Sequence, residues 1–265
     1  MLAGNQRIRA EPAWVLQRRP YSESSLLLEL FSRHHGRLAV IAKGGRRQKS
    51  PLRGLLAPFQ PLSVGWSGRG EVKTLTGAEQ DAALAPLRRA QLFCGYYLNE
   101  LLLKLLHRYD AHEALFDFYR QALVSLIQVG DCEKVLRIFE KHLLEQVGYG
   151  MQLRNECASG DSLVADQLYR YVPDIGPLAD IKTSRDGVLI HGAALLALDA
   201  ESELSGTCLS ELKQLSRVLL DRSLDGRALS SRAVYGRVSL SLDSDNNGVS
   251  GNVISGAKEE ATTRE

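Results

Sequence analysis

The sequence predicts an α+β protein: a small closed five-stranded β-barrel over residues 1–80, then a helical domain over 81–242. Three observations carry this. Five short apolar runs separated by Gly and Pro turns fill the first eighty residues, with no strong helix among them. Beyond Pro86 the apolar residues recur at helical spacing. Charge divides at the same place. Residues 1–80 hold 13 Lys+Arg and 5 Asp+Glu, a net of +8; residues 81–265 hold the other 20 and 26, a net of −6, for a total of +2. Such a split suggests a polyanion-binding module joined to something with another task.

The strands follow in order. Residues 13–18 alternate and end at Pro20; residues 24–31 are rich in Leu, and 27–30 would equally suit a helix by propensity. His34-His35-Gly36-Arg37 turns into residues 38–43, Pro58 and Pro61 bracket the start of 62–66, and Gly68-Arg69-Gly70 turns tightly into 71–76. The loop Lys43-Gly44-Gly45-Arg46-Arg47-Gln48-Lys49 leaves the third strand with four cations in seven residues. An isolated basic run is usually a solvated loop, but on a basic barrel a flexible one is suited to gripping phosphate. Candidate phosphate contacts are Arg18, Arg19, Arg37, Lys43, Arg46, Arg47, Lys49, Arg53, Arg69 and Lys73. Of the aromatics Trp14, Tyr21, Phe31, Phe59 and Trp66, Phe31 and Trp66 are assigned to the barrel core and Tyr21 to stacking on bases.

A central helix is expected from Pro86 to about His107, because its apolar residues cover much of its circumference. A second runs from about 112 to 129. A third starts at Asp131 as N-cap, with Glu133 in its first turn, and stops at Gly148 and Gly150. Residues 151–200 read as irregular. Another amphipathic helix spans 207–222 with Thr207 as cap, a last one covers 229–240, and the tail 243–265 is polar and reads as disordered.

Several classes find no support. No apolar run reaches the roughly 18 residues of a membrane span. Residues 1–11 lack the apolar stretch of a secretory signal. Cys94, Cys132, Cys157 and Cys208 are scattered, which fits a reduced, cytoplasmic chain without structural disulfides. Asp243-Ser244-Asp245-Asn246-Asn247-Gly248 opens like a calcium loop, but its twelfth position is Ile254 where a bidentate Glu is needed. Lys49-Ser50 ends like a nucleotide-binding loop, but Gln48 and Lys43 stand where glycines belong.

The order of certain stretches resembles the RecO family of bacterial recombination and DNA-repair mediators, from about Trp14 to about Val238. These are Val15-Leu16 through Arg19-Pro20-Tyr21-Ser22-Glu23-Ser24-Ser25-Leu26, Val40-Ile41-Ala42-Lys43-Gly44, Leu55 to Pro61, Gly68-Arg69-Gly70-Glu71-Val72-Lys73-Thr74-Leu75, Tyr97-Leu98-Asn99-Glu100-Leu101-Leu102, Arg137-Ile138-Phe139-Glu140 and Gly148-Tyr149-Gly150. The resemblance implies an N-terminal OB-fold barrel and a helical domain. It further implies binding to single-stranded and also double-stranded DNA, strand annealing, no enzymatic activity and a place at the nucleoid. Implied partners are RecR and the C-terminal tail of the single-stranded-DNA-binding protein. It places Arg137 at the family's matching arginine, on an exposed helix face with Phe139 and Lys141 beside it, as the site for that tail. Some family members bind zinc in the region of 150–200. Here only Cys157 and His191 are offered, so no metal or other cofactor is expected and the region is expected to be held by packing alone. The rival reading of a metal-dependent nuclease needs clustered carboxylates, and Glu11, Glu23, Glu29, Glu71 and Glu79 include no close pair. A protein-binding adaptor is the third reading.

Overall fold

The structure, a computed structural model, describes residues 7–128, 131–182, 186–204 and 206–231. Strand β1 (Arg7–Pro20) starts a barrel completed by β2 (Leu26–Ser32), β3 (Gly36–Ala42), β4 (Pro61–Ser67) and β5 (Val72–Gln80). The barrel closes in the order β1-β2-β3-β5-β4, with β3 and β5 parallel and the other neighbours antiparallel. One long strand can serve two partners because it bends. The first half of β1 pairs with β4 and its second half with β2, with irregularities between Ile8 and Glu11 and between Val15 and Gln17. The polar start of this strand, Arg7 to Pro12, offers no apolar alternation, so the sequence predicts only its second half.

Alternation sorts the barrel side chains. Val15, Leu28, Leu30, Leu38, Val40, Leu62, Val64 and Trp66 fill the interior. Between β3 and β4 a short helix, α1 (Leu52–Leu55), leads into the fully buried Leu56, which joins that core. Phe31 was expected in the same core. It belongs instead to a second cluster with Trp14, Leu16 and Phe59, which is shared with the helical region.

That region holds α2 (Ala90–Leu105), α3 (Glu113–Gln128), α4 (Cys132–Gln146), α5 (Gly192–Asp199) and α6 (Gly206–Ser223). Asp131 caps α4 by accepting from the Lys134 amide at 3.2 Å. Thr207 lies within the first turn of α6 rather than before it. Helix α2 packs on β1, α3 and α4, as its all-round apolar surface requires. At the junction Trp14 meets Tyr119 edge-on at 5.4 Å and Phe31 lies 5.5 Å from Phe116. Asn99 donates to the Leu16 carbonyl at 2.8 Å and accepts from Tyr119 at 2.5 Å, which satisfies a buried amide inside an apolar seam. Gly36, at φ +64°, lies so close to Asp110 that a Cβ would sit 1.9 Å from its carbonyl oxygen. Arg33 clamps Asp117 through two bonds of 2.7 and 2.8 Å.

Residues 151–200 are more regular than their composition suggests. Strands β6 (Leu168–Val172), β7 (Gly176–Leu178) and β8 (Val188–His191) form an antiparallel sheet in the order β7-β6-β8. Tyr169, Tyr171, Val188 and Ile190 face the helical core and α5 follows directly. Nor is packing the whole support. Glu156 is buried, and its carboxylate accepts from the amides of Ala158, Ser159 and Ala179 at 2.9, 2.5 and 3.1 Å. The Ser159 amide above all holds its pKa below the ordinary Glu value. The expected tail 243–265 and most of the expected helix 229–240 lie outside the described residues.

Candidate nucleic-acid interface and helical groove

One rung of the barrel, Pro20 opposite Leu26 opposite Ala42, brings the end of β1, the start of β2 and the end of β3 together. The β1–β2 turn closes with the Tyr21 amide bonded to the Ser25 carbonyl at 3.1 Å. The basic loop lies on that turn. The Arg46 amide donates to the Ser24 carbonyl at 2.9 Å, and its Nη1 to the Ser22 carbonyl at 2.6 Å. The loop is a series of turns rather than a free segment. Gly44 is left-handed at φ +72°, and amide bonds run from Gly45 to Ala42, Arg47 to Gly44 and Ser50 to Arg47. Arg18 ties in α1, with Nη1 donating to the Arg53 and Leu56 carbonyls at 3.3 and 3.5 Å.

The fold therefore gathers Arg18, Arg19, Lys43, Arg46, Arg47, Lys49 and Arg53 at one end of the barrel, all exposed. None is ion-paired with a carboxylate among the described residues. Tyr21 stands among them, 59 % exposed. Fixed backbone with guanidinium and ammonium heads that no described carboxylate neutralises is an arrangement that accepts a phosphate chain without ordering the loop first.

Three predicted contacts lie elsewhere. Arg37 faces the junction, where it shares Glu29 (3.7 Å) with Arg108 (2.6 Å). Burial, ahead of any charge effect, pushes its pKa down. It is a structural cation, not one presented to solvent, because β3 carries it under the helical region. Arg69 and Lys73 are on the β4–β5 hairpin. Val72 pairs with Ala39 and Thr74 with Ile41 in parallel, so the hairpin projects toward Gly36 and away from Lys43. Lys73 donates to the Gly68 carbonyl at 3.3 Å and lies 5.5 Å from the ring of Tyr109, whose hydroxyl donates to the Glu71 carbonyl.

The helical region has a groove of about 710 Å³ between α2, α4, α6 and the segment that follows α6. Phe93, Leu136 and Leu229 give it apolar surface, and Arg137, Lys213, Arg217 and Arg227 give it charge. Arg137 was expected on an exposed face. It is buried instead, with Nη2 donating to Glu140 Oε1 at 2.8 Å. Tyr97 donates to the same oxygen at 2.6 Å. Phe139 is fully buried against Tyr119 at 6.2 Å and does not line the groove. Lys141 binds Glu201 at 2.6 Å and the Leu198 and Asp199 carbonyls that end α5. Of the three expected partner contacts, only Arg137 lines this groove. Sequence reasoning missed Lys213 and Arg217, although their spacing of four puts them on one helix face.

Among the described residues no group of three or more His, Cys, Asp or Glu is placed to hold a metal ion, and no helix is long and apolar enough to cross a membrane. The family profile Recombination protein O N terminal matches residues 8–82, and Recombination protein O C terminal matches residues 88–233. Three similar curated proteins are each named DNA repair protein RecO. That of Methylococcus capsulatus is 45 % identical over 230 residues, 86 % of this chain and 93 % of the relative. That of Alkalilimnicola ehrlichii is 45 % identical over 231 residues, 86 % and 91 %. That of an Azoarcus species is 43 % identical over 236 residues, 88 % and 97 %. Both halves of the fold fall within these matches, and the chain belongs to the RecO family of DNA repair and recombination proteins.

Proposed function

We propose that the protein is a non-enzymatic mediator at the nucleoid that binds single-stranded DNA, anneals complementary strands, and acts with RecR and the single-stranded-DNA-binding protein to load recombinase. One observation carries this reading: seven exposed cations meet at one barrel end with no carboxylate partner among the described residues. Their charges neutralise phosphates and release condensed counterions, and Tyr21 stacks on an unpaired base whatever its identity. Duplex DNA offers the same phosphates. Annealing follows from screening the repulsion between two strands held on one basic surface, and involves no covalent step. The groove on the helical region receives the acidic, apolar C-terminal tail of the single-stranded-DNA-binding protein, with Lys213, Arg217 and Arg137 supplying charge.

The test is annealing of complementary strands coated by the single-stranded-DNA-binding protein, with and without RecR. A variant carrying Arg19, Lys43, Arg47 and Lys49→Glu is expected to lose annealing while keeping its thermal unfolding temperature. Annealing at the unaltered rate, or Mg²⁺-dependent cleavage of the strands by the unaltered protein, would refute the reading.

A further inference from the structure

The floor of the helical groove holds a buried polar triad. Glu140 is fully buried, and its Oε1 accepts from both Tyr97 and Arg137 Nη2. Arg137 is 5 % exposed. Its Nε and the Oε2 of Glu140 are buried without a hydrogen-bond partner among the described residues. Leaving a donor and an acceptor unmet costs roughly 1–3 kcal/mol each, so a purely structural ion pair is an inefficient use of this floor. Charge sharpens the point. Arg137, Lys213, Arg217 and Arg227 line the groove together with Glu133, Glu140 and Asp221, a formal excess of one positive charge. Of the three carboxylates Glu140 is the one bonded directly to Arg137.

We propose that Glu140 is a positioning residue that sets the affinity of the groove: with Tyr97 it fixes the guanidinium of Arg137 while its own charge attenuates the pull of Arg137 on an anionic peptide. The inference rests on the reading of the groove as a site for an acidic peptide end. Fixing the guanidinium lowers the ordering needed on binding. Attenuating it keeps the complex reversible, which suits a protein that must release one partner to engage the next. The glutamate thus trades affinity for turnover at a site where a lone buried arginine would hold an anion more tightly.

The experiment uses the full chain and a short synthetic peptide, acidic and ending in an aromatic residue with a free carboxylate, labelled at its other end. Binding is read by fluorescence anisotropy over a range of salt. Glu140→Gln keeps an oxygen acceptor for Tyr97 and Arg137 but removes the charge. It is expected to bind ~5-fold tighter or more at low salt, with a steeper salt dependence, because one opposing charge has gone from a partly desolvated site. It is also expected to show a lower unfolding temperature alone and a larger upward shift on adding peptide. A merely structural glutamate predicts the same loss of stability but equal or weaker binding, and that binding result overturns the proposal. Should Glu140→Gln fail to fold, Tyr97→Phe makes the same test. It leaves Oε1 to Arg137 alone, so ~2-fold weaker binding with some loss of stability is expected, and unchanged or tighter binding overturns it. No binding by the unaltered protein even at low salt would refute the groove reading itself, and with it this inference. Binding that is real but indifferent to Glu140→Gln would refute only the role of Glu140.

Discussion

Arg47 and Arg137 carry the same charge in opposite company. Arg47 lies on the barrel's basic loop, exposed, with no carboxylate partner among the described residues. Arg137 is buried in α4 and bonded to Glu140. The contrast extends to their neighbourhoods. Two of the barrel-end cations, Arg18 and Arg46, lean on backbone carbonyls. Several of those in the helical region meet acids: Arg108 with Glu29, Lys141 with Glu201, Arg154 with Asp199 and Lys213 with Glu133. A carbonyl orients a guanidinium without neutralising it, whereas a carboxylate does both. The difference separates cations with their full charge on offer from cations whose charge a carboxylate partly offsets, which counting charges along the chain does not.

Three variants put the comparison at risk. The largest effect is expected for Arg137→Ala, which strands a fully buried Glu140 beside one remaining donor. A loss of ~3–5 kcal/mol in unfolding free energy, measured by denaturant titration, is expected from breaking a buried pair. A loss below ~1 kcal/mol would mean that the pair is not structural and that the contrast is drawn too sharply. Next comes the paired change Arg46→Ala and Arg47→Ala. It is expected to weaken single-stranded DNA about tenfold or more and to flatten the salt dependence by about 1.4 log units, at 0.7 per lost phosphate contact. Stability should hold within about 0.5 kcal/mol, as for surface sites generally. A fall in affinity with an unmoved salt slope would show that these residues act other than on phosphate. The smallest change is the most discriminating. Arg37 belongs to the barrel in sequence but to the paired class in structure. Arg37→Ala should lower stability by ~1–2 kcal/mol, through the lost ion pair with Glu29 and lost packing, and leave DNA affinity nearly unchanged. The opposite pattern would return Arg37 to the interface.

The barrel was largely legible because its strands alternate and its turns carry Gly and Pro. What escaped has physical causes. The first half of β1 is polar and becomes a strand by pairing with β4, which no local pattern announces. Leu168-Tyr169-Arg170-Tyr171-Val172 does alternate, yet its short length and Gly-rich surroundings hid the small sheet. The barrel-end cluster was readable as composition, since most of its cations come from one loop and the strand end before it. Phe139 and Lys141 were read as companions of Arg137 because they are near in sequence. On a helix, two positions on is across the axis. Four positions on is the same face, and there Lys141 is claimed by the end of α5. The groove depends on α2, α4 and α6, the first and last of them about a hundred residues apart, and only packing brings them together.

The seam between barrel and helices has a practical consequence. Trp14, Leu16, Phe31 and Phe59 belong to the helical core, not to the barrel's own. A barrel expressed alone would present these four side chains to water as one apolar patch, of a kind that drives self-association. Gly36, already favoured by its left-handed φ, meets a second demand for glycine where Asp110 lies against it. A chimera cut at residues 81–89 would therefore part surfaces that were shaped against each other. A working exchange between relatives has to carry both banks of the seam, Phe116 and Tyr119 together with Trp14 and Phe31.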